Sequence, residues 1–183
     1  LGGASLEESD AIRDLMLAAL LALFCIYALM AVPLKSYSQP LLIMSVIPFG
    51  LVGAMVGHVV LGLDMSIMSV FGLIALAGVV VNDSLIMVDF VNEARQRGAA
   101  LRDAVIDAGT QRFRAIILTS LTTFLGLAPI ILERSLQAKV VVPMAVSLAF
   151  GILFATVITL FLIPVLYLVL EDFKLKKTNA DTA

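Results

Sequence analysis

The sequence predicts an all-α, polytopic membrane helix bundle, and three observations lead there. Of the 183 residues, 61% are hydrophobic and 14% charged, with a mean hydropathy of +1.09. Soluble domains hold about 45–50% apolar and about 25% charged residues, so this is a membrane chain. Five stretches reach the roughly 20 mostly apolar residues that a spanning helix requires. Finally, Lys and Arg gather on alternate connections between those stretches, as in a chain threaded back and forth through a bilayer.

Taken in order, residues 1–10 (LGGASLEESD) have a linker's composition, so the chain is expected to be a piece of a larger protein. The first span covers about 11–32, with Ser9 or Asp10 as N-cap by residue type and Pro33 as the stop. The second covers about 40–61; its Gly50, Gly53 and Gly57 suit close approach of a neighbouring helix. GLDMS makes a turn, and the third span covers about 66–92. Next, Leu101, Val105 and Ala108 recur at helical spacing on a polar background, predicting one short amphipathic cytoplasmic connecting helix that ends at Gly109. The fourth span covers about 113–132. The fifth covers about 140–170, with Pro143 and Pro164 near its ends, and residues 171–183 form a polar tail.

Lys35, Arg95, Arg97, Arg102, Arg112, Arg114, Lys174, Lys176 and Lys177 fall on one side of the membrane, and Arg13, Arg134 and Lys139 on the other. The positive-inside rule then puts the N-terminus outside the cytoplasm and the C-terminus inside.

The run Phe71 to Asn92, FGLIALAGVVVNDSLIMVDFVN, is the one around which the chain is expected to be organised. Asn82, Asp83 and Ser84 interrupt it at mid-membrane depth, where a carboxylate costs about 2.5–3.5 kcal/mol on insertion scales and so faces protein or water. Desolvation favours the neutral acid, whereas a nearby cation or hydrogen-bond donor favours the charged form. A group balanced between these effects can load and release a proton. Asp83 lies about 14 Å from the cytoplasmic edge, and the hydroxyls Thr119, Ser120, Thr122 and Thr123 of the fourth span at about 9–15 Å, so they share a level if the two helices are neighbours. Asp89 and Arg114 read as interfacial charges, and His58 and Cys25 as packing residues.

Other chemistry is not encoded. A phosphate-binding loop with its lysine, HExxH and GxSxG are absent from the sequence, so it is not expected to be an enzyme, and no cofactor or metal site is expected. An intramembrane aspartyl protease would need a second deep aspartate on another helix. The eight methionines are scattered like core filler, with a soft-metal path as the alternative reading. With a net charge of −2 and no basic, aromatic-interleaved stripe, nucleic acid is not an expected partner.

Three segments in order, GVVVNDSLIMVDFVN, ALRDAVIDAGTQRFRAIILTSLTTFLGLAPIILE and SLQAKVVVPMAVSLAFGILFATVITLFLIPVLYLV, resemble the C-terminal transmembrane part of a resistance–nodulation–division (RND) efflux permease. The resemblance implies helices eight to twelve of twelve, with residues 1–10 leaving an external (porter) domain. It further implies a bacterial inner-membrane location and a proton-driven exporter of drugs or other small molecules. The partners it implies are the rest of the same permease with its external domains, the lipid bilayer, and a homotrimer with a periplasmic adaptor and outer-membrane channel.

In that family a mid-membrane polar cluster carries the protons: two aspartates from a helix this chain lacks, often a lysine, an arginine and a threonine. By resemblance Asn82 stands in the lysine's place with Asp83 following it, Arg112 matches the arginine and Thr119 the threonine, while Ser84, Thr122 and Thr123 are supporting polar groups. Without the lysine's charge the absent aspartates would hold their protons more readily, and Asp83 would join the relay. The alternative is a non-transporting scaffold or assembly subunit in which the polar trio only fixes helix pairing.

Overall fold

Six helices occupy almost all of the described chain: α1 (Gly2–Leu34), α2 (Ser38–Met44), α3 (Ile47–Leu61), α4 (Ile67–Gln96), α5 (Leu101–Leu132) and α6 (Ala138–Asp181). The computed structural model describes the backbone of residues 2–135 and 137–181, and the side chains of residues 9–135 and 137–172. With α2 and α3 making one span, five helical segments among the described residues are long and apolar enough to cross a membrane.

Helix α1 does not begin at Ser9 or Asp10; its backbone is already helical from Gly2. The segment holds Ala4, Leu6, Glu7 and Glu8, all good helix formers, and no proline. It ends just past Pro33, where Lys35 turns into the left-handed region at φ 47°. Cys25 sits on the exposed face of α1 rather than in packing.

The second span is broken at Ser45–Val46. Pro48 has no N–H to offer the Met44 carbonyl, so the regular ladder fails there. The backbone tightens instead, with the N–H of Phe49 and of Gly50 both donating to the Val46 carbonyl, and the Ser45 hydroxyl donating to the Leu42 carbonyl at 2.6 Å. Helix α3 ends at Gly62, whose φ of 64° lets the Leu63 N–H reach back to the His58 carbonyl at 2.9 Å. Ser66 then caps α4 in a reciprocal capping box with Ser69.

The amphipathic segment after α4 is helical, but it is not a separate helix. It forms the first turns of α5, with Ala104, Val105 and Ala108 buried. Gly109 does not end it. A single glycine costs a helix only about 1 kcal/mol relative to alanine, and the uninterrupted backbone ladder outweighs that.

The bundle converges on α6 rather than on α4: α3, α4 and α5 each pack along α6, and α1 packs chiefly on α2 and α4. Small residues make this possible. A side chain at Gly53 would collide with Phe154 and the Phe150 carbonyl, and one at Gly57 with the Phe150 ring. Gly72 sits against the Met144 carbonyl and Ser147, and Leu76 is wedged between Gly50 and Gly151. Without a hydrophobic drive between helices in lipid, such close approach is what holds them together.

Candidate functional site: the polar faces of α4 and α5

Rotation along α4 distributes the trio at mid-helix. Asn82 is exposed, Asp83 half-buried, and Ser84 wholly buried, its hydroxyl without a hydrogen-bond partner among the described residues. Asp83 makes no hydrogen bond or ion pair among the described residues.

Helix α5 runs antiparallel beside α4 and has two faces. Ala104, Ala108, Arg112, Ile116 and Ser120 form one ridge at four-residue spacing; all but Arg112 are fully buried. Arg112 reaches from that ridge to α4, its guanidinium 5.1 Å from the centre of the Phe90 ring and its Nε buried without a hydrogen-bond partner among the described residues. Seven residues separate Phe90 from Asp83 on one helix and Arg112 from Thr119 on the other. In an antiparallel pair that register brings Thr119 to the level of Asp83.

Thr119, Thr122 and Thr123 do not bond across helices. Their hydroxyls donate to the carbonyls of Ala115 (2.8 Å), Leu118 (2.8 Å) and Thr119 (2.8 Å) one turn back. Ser120 does cross: it shares a 2.5 Å hydrogen bond with Thr156 of α6. The expected residues therefore divide in two. Asn82 of α4 and Thr119 and Thr122 of α5 are exposed and Asp83 and Thr123 half-buried, whereas Ser84 and Ser120 turn inward.

Two bonded groups escaped the sequence reading. At the end that carries the basic connections, the Tyr167 hydroxyl donates to Asn92 Oδ1 at 2.6 Å, and Gln39 and Asn92 exchange amide hydrogen bonds at 3.0 and 2.9 Å. At the opposite end His58 is 2% exposed. Its Nδ1–H donates to the Ala54 carbonyl at 2.9 Å, so Nε2 accepts the Ser69 hydroxyl at 2.9 Å. Helix α2 is thereby tied to α4 and α6 at one end, and α3 to α4 at the other. The signal for the first group was Gln39 beside Pro40 at the head of an otherwise apolar helix.

Apolar, membrane-length helices with amides, a carboxylate and hydroxyls held at depth define an integral, multi-pass membrane protein. The AcrB/AcrD/AcrF family matches residues 1–171, and the chain belongs to that family, within the RND transporters that its motifs resemble. Two crystal forms of a heavy metal efflux pump share the architecture. Form II aligns at 29% identity over 91% of this chain with a TM-score of 0.82. Form I aligns at 29% identity over 93% with a TM-score of 0.77. The chain spans 17% of the length of those pump chains.

Proposed function

We propose that this chain is the C-terminal transmembrane part of a proton-driven RND exporter, lodged in a bacterial inner membrane with its N-terminus periplasmic and its C-terminus cytoplasmic. Asp83 takes up and releases protons at mid-membrane, Asn82 and Thr119 supply a dipole and a hydroxyl at its level, and Arg112 supplies positive charge below it. The other half of the permease covers this polar face and provides the remaining acids. Protonation biases helix packing between two arrangements, which the external domains read as motion. The cargo is a drug or another small solute, or a heavy metal ion as in the pump with the same architecture; its choice rests with the external domains. By family likeness the permease works as a trimer with a periplasmic adaptor and an outer-membrane channel.

One observation supports the relay over a scaffold. Helix locking is done by Ser120–Thr156, Gln39–Asn92–Tyr167 and His58–Ser69, whereas Asp83 bonds to nothing among the described residues. No pairing among the described helices depends on Asp83, which leaves a carboxylate at that depth available for proton exchange. The test is Asp83→Asn in the intact permease. Lost proton-coupled export with an unchanged unfolding temperature supports the relay; a protein that no longer folds supports the scaffold.

A further inference from the structure

At the end where α1 passes into α2, a recess of about 460 Å³ opens between those helices, α4 and α6. Its inner wall is the hydrogen-bonded group Gln39, Asn92 and Tyr167. Its rim carries two cations, Lys35 and Arg95, and two carboxylates, Asp89 and Glu171. Arg95 and Glu171 approach one another at 3.7 Å, an ion pair beyond hydrogen-bond length. Lys35 occupies the left-handed conformation at φ 47°, a strained choice for a lysine where glycine would be at ease. A second cavity uses the same α2 and α6 as walls: an apolar groove of about 390 Å³ lined by Leu41, Leu42, Leu166, Val169 and Leu170.

Among the described residues the rim's formal charges cancel, so the recess is matched to a zwitterion rather than to an anion. A greasy groove on the same two helices suits a molecule with a tail. We infer that the recess holds the phosphoethanolamine headgroup of a membrane phospholipid, its phosphate against Lys35 and Arg95, its ammonium against Asp89, and an acyl chain in the groove. A primary ammonium donates three hydrogen bonds to carboxylate, amide and phenol oxygens, whereas a choline group donates none and a glycerol headgroup brings no positive charge. The lipid then fastens the α1–α2 turn to the end of α4. This site rests on the membrane architecture and not on the proton reading, so either can fail alone.

The experiment is native mass spectrometry of the intact permease, titrated with phosphatidylethanolamine, phosphatidylcholine or phosphatidylglycerol of matched chains. Phosphatidylethanolamine is expected to bind about tenfold more tightly than the other two, the difference that one charge-assisted hydrogen bond makes. Asp89→Asn should abolish that preference, and Lys35→Gln should weaken all three lipids. Arg97→Gln, at an exposed position outside the recess, should change neither. Equal retention of the three lipids by the unsubstituted protein, or an unaltered preference in Asp89→Asn, overturns the proposal. Competition by soluble phosphoethanolamine at the same concentration as the lipid would remove the acyl chain from it.

Discussion

Ser120 of α5 and Thr156 of α6 share a buried 2.5 Å hydrogen bond, while Thr119, one residue earlier, turns outward and bonds its own backbone. Adjacent hydroxyls on one helix thus have opposite duties. One sets the rotation of α5; the other is displayed at the level of Asp83.

Ser120→Ala should lower stability by about 0.6–2 kcal/mol, because it strands the buried Thr156 hydroxyl. Thr119→Ala should stay within about 0.5 kcal/mol of the unsubstituted protein while reducing transport. Thermal unfolding in detergent beside a transport assay on the intact permease separates the two. Equal effects of both substitutions on stability would refute the division of labour.

Gly53→Ala places a methyl group against Phe154 and the Phe150 carbonyl, where the α6 backbone cannot easily give way. It should cost about 1–3 kcal/mol. Gly109→Ala meets open space in the middle of a helix and should stabilise by about 0.5–1 kcal/mol. The sign of the shift in unfolding temperature checks each one.

Asn92 accepts from both Tyr167 and Gln39, so substitutions in this group should not add. A double-mutant cycle on Asn92→Ala and Tyr167→Phe should show a coupling of about 0.6–1.7 kcal/mol. A coupling near zero would mean that the three side chains act independently.

His58→Ala removes both the acceptor for Ser69 and the donor to Ala54 inside a dry contact. A loss of about 1–3 kcal/mol is expected, with faster hydrogen exchange in the first turn of α4 as the local sign. Unchanged exchange there would place the role of His58 elsewhere.

Much of the fold was legible because bilayer thickness and hydropathy act segment by segment. The five spans, the turn at Gly62 and the glycine face of the second span each follow from a short window of sequence. The break at Ser45–Val46 was missed by a reading that ran the second span unbroken; its cause is Pro48, whose missing N–H acts one turn upstream. Gly109 misled because glycine permits a helix end without compelling one. Of the site, depth was readable and direction was not: Thr119, Ser120, Thr122 and Thr123 are equivalent as a string, and only packing against α6 sorts them.

By itself the sequence determined that this is a multi-pass helical membrane protein with an acid at mid-depth, since the cost of polar groups in hydrocarbon is a property of each segment alone. The tertiary structure decided that α6, not the acid-bearing α4, is the helix on which α3, α4 and α5 rest. It also decided which hydroxyls lock helices and which are displayed. Those outcomes depend on close contacts among α3, α4, α5 and α6, and contact between distant segments is a pairwise quantity that no single stretch of chain contains.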